Sequence, residues 1–242
     1  AEILSVGSEI LLGDIADTNT QYLAQRLSAL GIDLFFSTTV GDNRGRLGEC
    51  LQRAIGRSDI VLTTGGLGPT DDDVTRESIA DLFGETPVVD EVTADLLRGF
   101  FKHRGIEMTD NNLKQASLIP SARAIPNARG TAPGWWADKD GHIIIAMPGP
   151  PGEMHYMWEN EIEPALPLYA AVIRSRTIKL FAISESKVDE LISDLTPSQN
   201  PTVAVYAKQD GIHVRITAKF PNGDEAAMAI APVEDEVRRL MG

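Results

Sequence analysis

A glycine-rich turn lies between an apolar run and a segment of helical spacing, and this arrangement constrains the fold more than any other stretch of the chain. The run Asp59–Leu62 is rich in β-branched residues and predicts a buried strand, whereas residues 78–83 have helical spacing and are followed by Gly84. A glycine turn of this kind brings backbone N–H groups and a helix N-terminus close to an anion. The sequence therefore predicts a strand, an anion-binding turn and a helix in succession.

The same turn contains three consecutive carboxylates, in the run Gly-Gly-Leu-Gly-Pro-Thr-Asp-Asp-Asp-Val-Thr at 65–75. Asp71, Asp72 and Asp73 would repel a phosphate unless a divalent cation lay between them. The pattern therefore predicts a phosphorylated ligand bound through a metal. An ordinary turn uses the same residue types, and we expect one of the three aspartates to act only as a helix cap. No Walker lysine follows the glycines, and Asp71 stands where the dinucleotide fingerprint has its third glycine, so neither of those loops is predicted.

Strands and helices alternate through the first part of the chain. Strands are predicted at 3–6, 35–40, 59–64 and 142–147, and helices after Asp17 or Thr18, at Leu47–Ile55 after a cap at Asp42 or Asn43, and at Asp90–Arg104 with Leu96, Leu97, Phe100 and Phe101 as its apolar face. The run at 142–147 is continuously apolar, as a parallel strand covered on both faces requires. This alternation predicts an α/β three-layer sandwich with a mainly parallel sheet, whose ligands bind beyond the carboxyl ends of the strands.

The pattern changes near residue 170. A strand is predicted at Thr177–Ile183, a helix at Ser186–Leu195, a hairpin that pairs 203–206 with 213–220, and a final helix at Glu225–Leu240. These elements predict a small α+β second domain of βαββα order. We therefore expect two domains, at 1–170 and 171–242.

Composition excludes several functional classes. The 242 residues include 22 Lys and Arg against 35 Asp and Glu, a formal net charge of −13, and one cysteine. Nucleic-acid binding depends largely on basic side chains, so a nucleic-acid partner is not expected, although local amides and a metal can still bind a small anion. The sequence has no apolar run of transmembrane length and no recognisable signal peptide, so we expect a cytoplasmic enzyme without a membrane partner.

The glycine turn and other segments together resemble the CinA (competence/damage-inducible protein A) family. The other segments lie, in the order found in the family, at 6–13, 17–20, 40–43, 112–116, 130–134 and 147–154. More broadly, the pattern is similar to the molybdopterin-binding fold of molybdenum-cofactor biosynthesis proteins. Residues 171–242 resemble the KH-like domain of CinA proteins, although they lack a clear Gly-x-x-Gly loop. Longer members carry a third domain, a nicotinamide-nucleotide deamidase, and these 242 residues are not expected to include it.

The resemblance implies hydrolysis of ADP-ribose to AMP and ribose 5-phosphate with a divalent metal, Mg, Mn or Co. The catalytic residues implied are Asp72, Asp73 and Lys114, and the metal ligands are Asp42, Asp72 and Asp73. The substrate-binding residues implied are Gly65, Gly66, Gly68, Thr70, Thr75, Glu9, Asp17, Asn19, Pro148, Gly149 and Pro150. Several of these residues also have ordinary structural explanations: Asp42 and Asp17 as helix caps, Glu9 and Lys114 as solvated charges, and the prolines as turn formers.

Two other functions stay open. One is a molybdopterin-binding protein of molybdenum cofactor biosynthesis, although Asp72 and Leu67 stand where the related transferases tend to carry arginine and threonine. The other is a non-catalytic nucleotide or pterin-binding module. For any of the three we expect a small phosphorylated ligand and a homodimer, in which residues beyond 170 form subunit contacts or cover the site.

Overall fold

The computed structural model describes residues 1–166 and 171–242, and the chain divides into two compact units. One unit comprises 1–25 and 34–167, and the other comprises 26–33 and 168–242. The predicted domain boundary after residue 170 falls at a position outside the described residues. Within the described ranges, none of the helices combines the length and the apolar character that crossing a bilayer requires.

The first unit is built on a mixed sheet of six strands. They are β1 (Glu2–Val6), β2 (Phe36–Val40), β3 (Ile60–Thr64), β6 (Ala122–Ile125), β7 (Gly134–Lys139) and β8 (His142–Met147), while β4 (Val88–Val89) and β5 (Ser117–Leu118) pair separately. The strand order is β2-β1-β3-β8-β7-β6, with β2, β1, β3 and β8 parallel and the last two strands antiparallel. The predicted α/β fold with a mainly parallel sheet is therefore confirmed, with an antiparallel edge added to it.

Helices connect these strands and begin and end where the sequence provides caps. They are α1 (Ser8–Leu12), α2 (Thr18–Ala29), α3 (Arg44–Ile55), α4 (Thr75–Phe83), α5 (Glu91–Arg104) and α6 (Pro151–Met157), with 3-10 turns at Asp110–Ala116 and Glu163–Ala165 and a π turn at Trp158–Ile162. Asn43 caps α3 by accepting a hydrogen bond from the N–H of Arg46. The cap is therefore Asn43, so Asp42 does not serve as the cap of this helix.

The apolar face predicted for α5 was partly wrong. Leu96 is 70% exposed, and the buried residues of the helix are Thr93, Ala94 and Leu97. Leu96 and Leu97 are adjacent and therefore lie about 100° apart around a helix, so a face centred on Leu97 turns Leu96 towards solvent.

Both faces of the sheet are covered, which gives three layers. On one face, Val61 of β3 packs in a core cluster with Leu47 of α3 and Ile79 of α4. The alternate residue Leu62 is also fully buried, and it points to the other face because side chains alternate along a strand. On that face Ser5 donates a hydrogen bond to Asp17 at the start of α2. The continuous apolar runs of the central strands follow from this double coverage.

The register of the parallel strands brings four loops together. Ser5 pairs with Thr64, Thr64 with Met147, and Val6 with Val40, so the carboxyl ends of β1, β2, β3 and β8 lie at one edge of the sheet. The loops that begin at positions 7, 41, 65 and 148 therefore leave the sheet side by side. Parallel α/β sheets bind their ligands at such an edge.

The second unit is a three-stranded antiparallel sheet with two helices. Its elements are β9 (Val172–Leu180), α7 (Glu185–Leu191), β10 (Thr202–Lys208), β11 (Gly211–Phe220) and α8 (Gly223–Met241), with strand order β10-β11-β9. Its own core includes Val188, Val214 and Val237. The predicted βαββα order is confirmed. The first strand of this unit, β9, spans Val172–Leu180 and therefore begins and ends earlier than the predicted strand at Thr177–Ile183. The helix α7 ends at Leu191 rather than at Leu195.

Truncation of Leu47 tests the core of the first unit. Leu47 is fully buried, so Leu47→Ala is expected to lower the free energy of unfolding by about 3 kcal/mol, through lost burial and a residual cavity. Leu96→Ala, at an exposed helical position, is the matched control and is expected to change it by less than about 0.5 kcal/mol. Urea denaturation followed by tryptophan fluorescence reports on this unit, because Trp135, Trp136 and Trp158 all belong to it. Equal losses for both variants would contradict this assignment of the core.

Candidate functional site

A cavity of about 510 Å³ lies where the four loops leave the sheet. The predicted site residues that line it are Glu9, Asp17, Asn19, Asp42, Gly65, Gly66, Gly68, Asp72, Asp73, Pro148, Gly149 and Pro150. The structure thus brings most of the predicted residues into one concave site. Thr70, Thr75 and Lys114 do not line it, and Gln115, Thr131 and Glu153 line it without having been predicted.

The glycine turn runs so close to β1 that two of its positions admit only glycine. Gly65 has φ 101°, and a Cβ atom there would lie 2.1 Å from the carbonyl oxygen of Val6. Gly66 has φ 65°, and its Cβ would lie 2.4 Å from Oγ1 of Thr75. Both the backbone conformation and the space therefore exclude a side chain at these two positions.

The first two residues of α4 hold the carbonyl groups of this turn. Thr75 donates from Oγ1 to the carbonyl of Gly65 (2.8 Å) and from its N–H to the carbonyl of Gly66 (3.1 Å). Arg76 donates from Nη1 to the carbonyl of Leu67 at 2.7 Å. Thr75 therefore shapes the turn from outside the cavity, which differs from its predicted role as a substrate contact.

The N–H of Gly65 donates to the carbonyl of Met147 at 3.0 Å, whereas the next three N–H groups of the turn find no acceptor among the described residues. In the described part of the chain, the backbone nitrogens of Gly66, Leu67 and Gly68 donate no hydrogen bond, and all three residues line the cavity. Successive unpaired backbone N–H groups in a turn form a site for an anion. The turn therefore presents adjacent donors that could bind an anion.

Carboxylates dominate the rest of the cavity wall. They are Glu9, Asp17, Asp42, Asp72, Asp73 and Glu153, and no lysine or arginine of the described ranges lines the cavity. Hydrogen bonding from Thr70 and from its own backbone, together with the charge of Lys114, lowers the pKa of Asp72 from its ordinary value. Asp72 is therefore ionised at neutral pH, and an anion could enter this cavity only with a compensating positive charge.

Among the described residues, the two other predicted metal ligands each accept hydrogen bonds at one oxygen only. Asp73 accepts hydrogen bonds at Oδ2 from the N–H and the hydroxyl of Thr70, at 3.0 and 2.5 Å. Asp42 accepts one at Oδ2 from the N–H of Ser8 at 2.8 Å. Across residues 1–166 and 171–242, no three His, Cys, Asp or Glu side chains come together as a metal site. The wall therefore suits a Mg²⁺-like ion held by one or two carboxylates and by ligand oxygens, rather than by a complete protein cage.

Lys114 lies behind the acidic turn rather than in the cavity. Its Nζ donates to the carbonyls of Thr70 (2.8 Å) and Asp73 (2.6 Å) and lies 3.4 Å from Oε1 of Glu77. These three partners match the three protons of the ammonium group. The geometry thus gives Lys114 a role in holding the turn, and it does not support the predicted contact with substrate.

Arg76 is a residue next to the site that sequence reasoning also missed, and it lies behind the wall of the cavity. Its side chain is 1% exposed, and it donates from Nη1 to Leu67 and from Nη2 to the carbonyl of Pro133 at 3.0 Å. Desolvation by burial lowers its pKa to about 10, against the opposing charges of Glu77 and Asp73. An arginine in the first turn of an amphipathic helix is ordinarily solvent-exposed, and nothing in the sequence pattern marked this one as buried.

Asn19 and Asp17 connect α2 to the site in different ways. Asn19 donates from Nδ2 to Oγ1 of Thr64 (2.8 Å) and to the carbonyl of Gly149 (2.7 Å). Its Oδ1 is buried and has no hydrogen-bond partner among the described residues. Asp17 instead accepts hydrogen bonds from Ser5 and Thr20, at 2.6 Å from Ser5 Oγ and 2.9 Å from the N–H of Thr20. Asp17 therefore caps α2.

Comparison with known families agrees with this architecture. Residues 2–168 match the family described as "Probable molybdopterin binding domain", and residues 175–242 match the "Damage-inducible protein CinA KH domain". A crystal structure of the protein CinA from Thermoplasma acidophilum is 33% identical, with a TM-score of 0.63, and the match covers 68% of this chain and 96% of that one. The chain therefore belongs to the CinA family, and the predicted resemblance is confirmed.

Longer relatives match over both units. A CinA-like protein of Deinococcus radiodurans is 47% identical over 242 residues, which cover 98% of this chain and 60% of that protein. A CinA-like protein of Dictyoglomus turgidum is 46% identical over 243 residues, which cover 100% of this chain and 59% of that protein. The chain thus spans about three fifths of the length of these relatives.

Substitution of Gly65 tests the geometry of the turn. Gly65→Ala is expected to destabilise the first unit by about 2 kcal/mol or more, because its Cβ would overlap the carbonyl of Val6 at a positive φ. Gly48→Ala is the matched control: Gly48 lies inside α3 with nothing within 4 Å of the added Cβ, so it should be neutral or stabilising by up to about 1 kcal/mol. Urea denaturation measures both variants, and a wild-type stability for Gly65→Ala would refute the close approach to β1.

Proposed function

We propose that the first unit is a divalent-metal-dependent hydrolase that cleaves the diphosphate bond of ADP-ribose to give AMP and ribose 5-phosphate. One observation carries the proposal: the unpaired N–H groups at 66–68 and the carboxylates of Asp42, Asp72 and Asp73 line the same cavity. The N–H groups suit a phosphate, and the carboxylates suit a cation. A diphosphate bound together with a metal ion satisfies both sets of groups at once.

The diphosphate would lie against the glycine turn. Gly66, Leu67 and Gly68 line the cavity, and each offers an unpaired N–H to its oxygens. Such preorganised donors stabilise the negative charge that develops on a phosphoryl group during its transfer. The glycine turn therefore both binds the substrate and stabilises its transition state.

The metal would be held by Asp72 and Asp73, with Asp42 across the cavity, and by oxygens of the substrate. Thr70 restrains Asp73 through Oδ2, which leaves Oδ1 for the ion. When bound, the ion supplies charge neutralisation and activates or orients a water molecule. The residues of this chain orient the ion and the diphosphate relative to each other, and Lys114 keeps the acidic turn in place from behind.

The part of the cavity beyond the glycine turn suits a nucleoside. The cavity as a whole has a volume of about 510 Å³, which lies within the range of small-molecule sites. Ile10, Ile15 and Leu67 contribute apolar surface to the wall, and Asn19 adds a polar side chain to it. An apolar wall with a few polar groups is typical of a site that orients a nucleoside.

Pterin binding is the second candidate function. The match of residues 2–168 to a family described as a probable molybdopterin-binding domain favours it. Against it, Asp72 adds a carboxylate to a wall that already carries several, and this strengthens the requirement for a metal.

We also propose that the protein is a homodimer. Light scattering of the intact protein tests this proposal by measuring its mass in solution.

The decisive assay measures release of AMP from ADP-ribose. We expect wild-type protein to release AMP with Mg²⁺, Mn²⁺ or Co²⁺ and to lose this activity in EDTA. Asp73→Asn is expected to reduce kcat/KM by about 100-fold or more, because the amide removes the charge that holds the ion. Asp71→Asn is the matched control, because Asp71 belongs to the same run of three aspartates but does not line the cavity. This variant should retain activity within about threefold.

Two results would contradict the proposal. Activity that persists in EDTA would exclude the metal, and equal activity of Asp73→Asn and wild type would move the metal site elsewhere. If ADP-ribose is not hydrolysed under any of these conditions but a pterin phosphate binds, the second candidate function replaces the first.

A further inference from the structure

Arg76 is a buried cation without a carboxylate hydrogen-bonded to it. Its guanidinium donates to the carbonyls of Leu67 and Pro133, and its Nε has no partner among the residues described. Burial of a charge away from water costs several kcal/mol unless nearby charges or dipoles compensate it. The carbonyl dipoles and the nearby charges of Glu77 and Asp73 compensate part of this cost. The guanidinium is nevertheless not neutralised by a carboxylate bonded directly to it, so its positive charge remains able to act on a bound anion.

The position of Arg76 shows what it can act on. Leu67 lines the cavity, and so does Ala132, the neighbour of Pro133. Arg76 itself does not line the cavity, so its guanidinium lies directly behind two segments of the wall. It is the one basic side chain of the described ranges that is hydrogen-bonded to the glycine turn at residues 65–68.

The hydrogen bond from Arg76 also orients a donor. In a trans peptide the C=O and the following N–H point in opposite directions. Arg76 hydrogen-bonds the carbonyl of Leu67 and does not line the cavity, so we expect the N–H of Gly68, on the opposite side of that peptide, to face the cavity. Thr75 does the same for the two preceding peptides by holding the carbonyls of Gly65 and Gly66.

We propose that Arg76 is a positioning residue for anion binding, which aims the N–H of Gly68 at the anion and adds a positive charge behind the turn. This inference rests on the anion site of the proposed function and not on the identity of the nucleotide. It accounts for a cavity in which every charged side chain of the wall is acidic. In a wall of low dielectric constant, a charge just behind the surface acts strongly on a bound ion.

Titration calorimetry with inorganic pyrophosphate and Mg²⁺ tests the role of Arg76. Arg76→Gln and Arg76→Met remove the charge, and each is expected to weaken pyrophosphate binding by about tenfold or more. Arg76→Met is expected to fold, because replacing a buried charge by an apolar side chain of similar length is often neutral or stabilising. Arg76→Lys keeps the charge and should bind within about threefold of wild type. Arg53→Gln removes an exposed arginine of α3 as a matched control for net charge and should bind as wild type does.

The outcomes separate this inference from the proposed function. Wild-type affinity of a folded Arg76→Gln or Arg76→Met, or no binding of pyrophosphate by wild-type protein, overturns the inference. Equal losses in Arg76→Lys and in the neutral variants also overturn it, because the residue then serves only the structure. If neither neutral variant folds, the affinity of Arg76→Lys for pyrophosphate decides the test alone. An affinity near that of wild type supports the inference, and a tenfold loss refutes it. If pyrophosphate binding depends on Arg76 but ADP-ribose is not hydrolysed, this inference stands and the proposed hydrolase function is refuted.

Discussion

The hydrogen bonds from Thr75 to the carbonyls of Gly65 and Gly66 are the interactions on which the rest of the site depends. They join the end of β3 to the start of α4 across a turn that has no room for a side chain at Gly65 or Gly66. With these carbonyls held by Thr75, the N–H groups of residues 66–68 remain unpaired among the described residues. The same turn is continuous with the acidic segment, so the groups proposed to bind the anion and the cation belong to one short stretch of chain.

The acidic wall and the unpaired N–H groups impose opposite requirements on a ligand. The carboxylates exclude a bare phosphate, whereas the N–H groups require an acceptor. A phosphate that arrives with a divalent cation would meet both requirements, which is why the proposed function includes a metal. In the proposal for Arg76, its buried charge acts in the same direction from behind the wall.

The order of strands and helices and the position of the cavity at one edge of the sheet could be predicted from the sequence, because both follow from local pattern. Alternating apolar runs determine the layers, and the carboxyl ends of parallel strands meet at one edge whatever the details of packing. The directions of long side chains could not be predicted in this way. Lys114 and Arg76 both reach backbone carbonyls behind the turn, and no periodicity distinguishes such a lysine or arginine from a solvated one. The prediction that Leu96 belongs to the buried face of α5 was wrong for a related reason, because the helix has a narrower buried face than its apolar residues suggest.

A crystal structure of the protein with AMP and Mn²⁺ tests the central claim most directly, because anomalous scattering locates the metal independently of the nucleotide. The account predicts phosphate oxygens within about 3.1 Å of at least two of the backbone nitrogens of Gly66, Leu67 and Gly68. It also predicts a manganese peak beside the carboxylates of Asp72 and Asp73, in contact with the phosphate. A phosphate bound away from the glycine turn, or a phosphate on the turn with manganese elsewhere, would contradict the account.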